Sequence, residues 1–533
     1  MRLDYLLFRK FCVILFKVII KEILLMKMIY GVKDRPKWGQ LILFSLQQLL
    51  AILAATIAVP MIIGHGMQAS AALFGAGVGT IVYLLFTQFK SPVFLGSSFA
   101  FLGSMSAAFA GGVSASLGYL GLLLGALFAG IVYVIIAVAV KFAGTKWIDK
   151  IMPAVVIGPT VAIIGLSLAG NAVGDLMSGS ATYKVIEEVL EPIIQNGEMV
   201  GGQIIETEVT YTYANTFIAL LCGLVTLAVT IVCSVYGKKL LKMIPFIIGI
   251  VAGYAVAAIF TAFSYIEGAE CLRVIDFSPF TTLGTAEAWY PNFAFLTAFG
   301  LGGSGYEAGE AGSVGAYIGT IAVAYIPVAF VVFAEHIADH KNISSIIETD
   351  LLKDPGLHRT LLGDGIGSIA GAFFGGCPNT TYGESVGCVA ISGNASVITI
   401  FVTALMAIVS AFLAPFTLFL ASIPKCVMGG VCIALYGFIA VSGLKMVQKV
   451  DLNENKNLFV VSVILIAGVG GMVLKIGAVT ITSVACALIL GILTNLLVNI
   501  KSKKGNDEGK AVVEESASEA AAEVNEEVKN EEL

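Results

Sequence analysis

Charged side chains are scarce in this sequence: Asp, Glu, Lys and Arg make up 13% of its 533 residues. Soluble globular chains carry about a quarter, so this one has too little charge to cover a water-facing surface of that size. No basic face is clustered anywhere, which excludes a nucleic-acid footprint. Histidine occurs four times (His65, His336, His340, His358). None of the four has nucleophile–base or metal-ligand spacing around it, so the sequence does not support an enzyme, a metal site or a bound cofactor. The nine cysteines are scattered singly, without a disulfide framework. Cys222, Cys233, Cys432 and Cys486 fall inside apolar runs and read as small buried hydrophobes.

What the chain has in abundance is apolar residue: 58% of the sequence, with a mean hydropathy of +0.93. Runs of about 18 or more apolar residues recur, each long enough to cross about 30 Å of hydrocarbon. They place an all-α polytopic protein in a lipid bilayer. The spans read as 41–62, 69–87, 92–109, 116–140, 151–172, 215–235 and 241–263. A second set reads as 318–339, 359–375, 379–393, 396–419, 426–446, 457–474 and 477–499. That is fourteen transmembrane segments in two seven-span repeats, 41–263 and 318–499. An odd number of spans per repeat inverts one repeat relative to the other. The third member of each set, 92–109 and 379–393, is short and interrupted by Gly, Ser, Thr or Pro. Such segments at matching positions point to a transporter's binding site.

Basic residues set the orientation. Lys33, Arg35 and Lys37 precede the first span, Lys141, Lys146 and Lys150 follow the fourth, Lys238, Lys239 and Lys242 follow the sixth, and Lys501, Lys503 and Lys504 follow the last. With fourteen crossings all lie on one side, which the positive-inside rule makes cytoplasmic. Both termini are then cytoplasmic, and the polar loops at 173–214 and 264–317 are extracellular. Residues 1–40 form a cytoplasmic N-terminal segment. Its first 25 residues read either as an interfacial amphipathic helix or as lying upstream of a start at Met26 or Met28. The Glu/Ala-rich tail within 500–533 is expected to be disordered.

A carboxylate inside a span costs about 2.5–3.5 kcal/mol on insertion scales and persists where it faces a cavity, a partner or a proton path. Two places qualify. In Ala334-Glu335-His336-Ile337-Ala338-Asp339-His340, Glu335 and Asp339 are four apart and share a helical face. In Pro378-Asn379-Thr380-Thr381-Tyr382-Gly383-Glu384-Ser385, Glu384 lies in the interrupted segment of the second repeat. The first-repeat counterpart is Phe94-Leu-Gly-Ser-Ser98-Phe99-Ala-Phe-Leu-Gly103. An extended piece leading into a half-helix there would present free backbone N–H donors. Carboxylate acceptors, amide donors and an aromatic cover together suit a planar ring with alternating donors and acceptors, and uracil is such a ring. Desolvation or a neighbouring acid also fits a carboxyl to carry a coupled proton.

At these motifs the sequence resembles the nucleobase–ascorbate transporter family, in its bacterial uracil-permease type. The resemblance rests on Ser45-Leu-Gln-Gln48, Phe94-Leu-Gly-Ser-Ser-Phe-Ala-Phe101, Ala334-Glu-His336, Asp350-Leu-Leu-Lys-Asp-Pro-Gly-Leu-His-Arg359, Phe374-Gly-Gly-Cys-Pro-Asn-Thr-Thr-Tyr-Gly-Glu384, Val427-Met-Gly-Gly430 and Leu435-Tyr-Gly437. It implies a core domain (41–140 and 318–419) moving against a gate domain (151–263 and 426–499), with short extended pieces in spans 3 and 10. It also implies a homodimer through the gate domain. Glu335 and Glu384 resemble the carboxylates that hold the base. Phe99 and Gly383 resemble the positions whose amides contact it, and Tyr436 resembles a gate tyrosine beside the site. Gln48, Ser98, Thr381 and Tyr382 fall in the same motifs as supporting residues.

The sequence departs from the pattern at a few positions. Asp339 stands where uracil permeases often carry His, Ser392-Gly393 replaces a Thr-Arg pair, and Cys426 replaces a proline. The expected activity is uracil import coupled to H+ by alternating access, with Asp339, Glu384 or Glu335 carrying the proton. A xanthine or guanine permease of the same family is the alternative. An anion carrier or channel of the same seven-plus-seven architecture is disfavoured by two uncompensated carboxylates.

Overall fold

The computed structural model describes residues 28–500 except 145, 196–197, 239, 302–304 and 477–478. The expectations for residues 1–25 and for the acidic tail lie outside the described residues.

Each predicted apolar segment contains a helix. In the first half these are α1 (Trp38–Ile63), α2 (Ala69–Phe86), then strand β1 (Leu95–Ser97) running through a 3-10 turn at Phe99–Phe101 into α3 (Leu102–Ala108). There follow α4 (Ala115–Ala143), α5 (Ala154–Ser167), α6 (Ala169–Leu176), strands β2 (Thr182–Gln195) and β3 (Glu198–Thr212), α7 (Thr216–Tyr236) and α8 (Pro245–Glu267). The second half runs α9 (Val314–Ile346), α10 (Leu357–Gly375), β4 (Asn379–Thr381), α11 (Gly383–Ser392), α12 (Val397–Ser410) and α13 (Ala414–Ala421). It closes with α14 (Lys425–Val447), α15 (Asn455–Val469), strands β5 (Leu474–Ile476) and β6 (Val479–Ile481), and α16 (Ser483–Asn499). Among the described residues eight helices are long and apolar enough to cross a membrane, or nine if α12 and α13, bent by 82°, form one span. The other five segments of the fourteen are shorter or less apolar pieces.

The helices pack in two groups. One joins α1, α2, α4, α9, α10 and α12; the other joins α5, α7, α8, α14, α15 and α16. Small residues bring α2 and α10 together. A Cβ at Gly75 would strike the Gly371 carbonyl, and one at Gly79 the Gly367 carbonyl. Helices in lipid gain from such close backbone approach because lipid tails are as apolar as leucine, leaving van der Waals packing to hold them.

β1 pairs antiparallel with β4 through Leu95↔Thr381, Gly96↔Thr380 and Ser97↔Asn379. This confirms the extended pieces expected in spans 3 and 10. The ribbon is anchored on α2: the Leu95 N–H donates to Thr80 Oγ1 at 2.9 Å, and Thr80 Oγ1 donates to the Leu95 carbonyl at 3.1 Å. Backbone at membrane depth is tolerated when enclosed in protein, and every residue of β1 and β4 is buried.

One expectation needs correction, and one helix is longer than its predicted span. The segment 173–214, read as a polar loop, holds the β2–β3 hairpin, paired from Thr182↔Thr212 to Gln195↔Glu198. In its first strand the hydrophobic and acidic residues come in pairs (Val-Ile-Glu-Glu-Val-Leu-Glu from 185), while the second alternates from Glu208 to Tyr213 (Glu-Val-Thr-Tyr-Thr-Tyr), so only one of the two strands carries a period-2 signal. The span 318–339 is part of a longer helix reaching Ile346. Asp339 and His340 therefore lie within the helix and are buried, at 8% and 0% exposure, and Asp339 shares a helical face with Glu335 as the spacing predicts.

Candidate functional site

A cavity of about 360 Å3 lies where the β1–β4 ribbon meets α9, α11 and α14. That volume suits one small heterocycle. Glu335 and Asp339 enter it from one face of α9, Gly383 and Glu384 from the start of α11, and Phe99 from the turn after β1. The first N–H groups of α11 have no acceptor within the helix, because no carbonyl precedes them in its register. Gly383 leaves them uncovered. Tyr382 lines the cavity as well, and its hydroxyl donates to the Ser97 carbonyl at 2.8 Å. That bond fixes the tyrosine ring across the two strands, directly over Gly96, where a Cβ would collide with it.

The supporting residues stand one layer behind. Gln48 on α1 donates from Nε2 to Ser385 Oγ at 2.6 Å, and Ser385 Oγ accepts from the Phe94 N–H at 3.1 Å. This knot ties α1, the approach to β1 and the start of α11 to one hydroxyl. Thr381 Oγ1 donates to Asp339 Oδ2 at 2.8 Å. Ser98 is buried, its N–H donating to the Pro378 carbonyl at 2.9 Å. Tyr436 on α14 meets Phe99 edge-on at a ring-centroid distance of 5.5 Å, so the two helix groups touch beside the cavity. Gln48, Ser98, Thr381 and Tyr436 do not line the cavity themselves.

Three further features of the site were not legible in sequence. Thr380 lines it with a buried hydroxyl that has no partner among the described residues; a strand register was needed to turn it inward. Val161 and Phe438 supply an apolar wall from the second helix group. Lys242, Asn342 and Ser234 line its far end, where Lys242 and Asn342 are solvent-exposed. Lys242 is the one cation among the described residues that line the cavity, facing three acids. Sequence reading assigned it only to topology, because helix ends are where lysines gather for that reason too.

A model described as "Permease family" (Xan_ur_permease) matches residues 39–194 and 189–477. The uracil permease of Bacillus caldolyticus is 37% identical over 479 residues, 89% of this chain and 95% of that one. Those of Bacillus subtilis (strain 168) and Escherichia coli (strain K12) are 35% and 33% identical, each covering 94% of the relative and 88% and 89% of this chain. Among solved structures, the transmembrane domain of a cyanobacterium bicarbonate transporter, BicA, superposes with a TM-score of 0.54 at 15% identity, covering 87% of this chain and 98% of that one. The murine anion transporter Slc26a9, in its inward-facing state, gives 0.53 at 13% identity, covering 88% and 69%. At those identities the likeness is one of fold.

Proposed function

This chain belongs to the permease family of that model and is a multi-pass membrane transporter rather than an enzyme, and from that premise we propose that it imports uracil together with a proton. The observation that carries the proposal is the gathering of Glu335, Glu384, Phe99 and Gly383 around one cavity. The two carboxylates accept from the ring N–H groups, and the amides at Phe99 and Gly383 donate to its carbonyls. Phe99 and Tyr382 offer π-faces. The relatives named uracil permease support this choice of base.

In this reading fourteen spans cross the cytoplasmic membrane, with both termini inside. The end of the cavity at Lys242, Asn342 and Ser234 then faces the cytoplasm, and the conformation is inward-facing. The α1, α2, α4, α9, α10 and α12 group is the core, and it shifts against the gate group to expose the site to either side in turn. A proton taken up by Glu335, Asp339 or Glu384 travels with the base, because a carboxylate left charged and unpaired in a closed cavity would be costly. The gate of one copy docks on that of a second. Asp339, where uracil permeases often carry His, keeps a xanthine carrier as the second reading.

The test is uptake of labelled uracil, thymine and xanthine into vesicles, with and without an imposed inward proton gradient. Saturable uracil uptake that rises with the gradient is expected. Uptake indifferent to the gradient would remove the coupling, and preferential uptake of xanthine would replace the substrate.

A further inference from the structure

Behind the cavity, on the face of α9 turned about 100° from Glu335 and Asp339, His336 and His340 form a second pair at i, i+4. Both are fully buried, and their rings stack at a centroid distance of 4.0 Å. Neither touches the cavity. His336 is held by two side chains of α10: Nδ1 lies 2.7 Å from Asp364 Oδ2, and Nε2 lies 3.0 Å from Thr360 Oγ1. His340 Nδ1 bonds the His336 carbonyl at 2.8 Å, and its Nε2 lies 2.7 Å from the Tyr83 hydroxyl on α2.

The protons are assigned by donor accounting. The Thr360 hydroxyl donates to the Leu357 carbonyl at 3.1 Å, so its oxygen accepts from His336 and the Nε2 proton is committed. One proton then remains between His336 Nδ1 and Asp364 Oδ2. Whether it sits on the nitrogen or the oxygen, the pair is neutral overall. A neutral hydrogen-bonded pair is tolerated in hydrocarbon, whereas either group charged alone is not. Asp364 Oδ1 and the Tyr133 hydroxyl of α4 lack partners among the described residues, and both residues border a small cavity of about 10 Å3. That is near the lower bound for one water molecule.

We propose that His336, Asp364 and Thr360 form a neutral clamp that fixes the rotation of α9 on α10 and so aims Glu335 and Asp339 into the cavity. These are positioning residues; the clamp holds its single proton throughout and takes no part in coupling. It rests on the reading of Glu335 as a binding residue. The ionisable groups around it are Tyr133 from α4, Tyr83 from α2, and Glu335, Asp339 and His340 on α9 itself.

The clamp separates hydrogen-bond geometry from charge, and three variants of the full-length, reconstituted protein read the difference. Asp364→Asn keeps a donor toward neutral His336 Nδ1, so the KM for uracil should stay within about threefold of wild type with an unchanged pH profile of uptake. Asp364→Ala should raise KM about tenfold or more, because small misplacements of a binding group cost that much. Thr360→Val, which removes the acceptor of Nε2–H together with the local bond to the Leu357 carbonyl, should raise KM in the same direction by less. It serves alone if Asp364→Ala fails to give a monodisperse protein. Asp364→Asn as impaired as Asp364→Ala, or shifting the pH profile, would overturn the clamp, as would an unchanged KM in Thr360→Val. If the wild type takes up xanthine and not uracil, the substrate reading fails by itself, and the three variants are compared on xanthine.

Discussion

Thr381 on the second crossing strand donates a 2.8 Å hydrogen bond to Asp339 on α9. The strand that leads into the Gly383–Glu384 half-helix is thereby fastened to the helix that carries Glu335, so the two carboxylates proposed to hold the base cannot move independently. Thr381→Val keeps the shape and removes the donor. A hydrogen bond to a carboxylate is worth about 1.5–3 kcal/mol, so kcat/KM for uracil should fall about tenfold or more. Steady-state uptake in proteoliposomes measures it. An unchanged kcat/KM would mean that Asp339 needs no such tether.

Gly96 lies under the Tyr382 ring, where any Cβ would collide with ring carbons. Gly96→Ala must push the ring or the strand aside, an overpacking that costs about 1–3 kcal/mol. The expected result is a lower melting midpoint of the purified protein together with weaker uracil uptake, since the displaced ring also lines the cavity. A midpoint equal to that of wild type would show that the ribbon yields freely at this point.

Much of this arrangement is legible in the sequence, and the rest is missing for physical reasons. Glu335 and Glu384 stand out because a carboxylate in an apolar run needs a partner or a cavity. The strand–helix pieces stand out because Gly, Ser, Thr and Pro break an apolar run twice at matching positions. Asp364, a carboxylate inside the span 359–375, meets the same criterion, but the sequence does not show its partner. Its partner His336 lies 28 residues earlier, and nothing in Leu361-Leu-Gly-Asp-Gly-Ile-Gly367 tells a clamp from a loosely packed helix. Thr380 escapes because its direction depends on strand register, which flips every side chain when shifted by one. The hairpin at 182–212 escapes because only its second strand alternates; the first, with its hydrophobic residues in pairs, gives no period-2 partner for it.

Asn342, like Lys242, is exposed and lines the open end of the cavity. In the proposed orientation that end opens to the cytoplasm. A single cysteine placed there by Asn342→Cys, with the native cysteines replaced, should react with a membrane-impermeant thiol reagent in inside-out vesicles and resist it in right-side-out ones. Saturating uracil should slow the reaction, since the reagent and the base share the cavity. The reverse sidedness would invert the topology assigned from the lysines.

Lys242 is the sole cation facing the three acids among the described cavity-lining residues. Replacing it by Glu puts a fourth negative group at the mouth, and like charges there cost more than the lost lysine alone. Lys242→Glu should slow uracil exchange more than Lys242→Met, and added salt should narrow the gap because the mouth is exposed to solvent. Equal rates for the two variants at low ionic strength would remove any electrostatic part for this lysine.

The most direct measurement is equilibrium binding of labelled uracil to the purified protein, together with its uptake into proteoliposomes, for wild type, Glu335→Gln and Glu384→Gln. Each exchange keeps the shape, and replaces an acceptor-only carboxylate by an amide with one acceptor oxygen and two donor hydrogens. Both variants should remain folded, bind uracil at least tenfold more weakly, and fail to accumulate it under an inward proton gradient. Wild-type binding and gradient-driven accumulation in both variants would contradict the assignment of these two acids to the base and its proton.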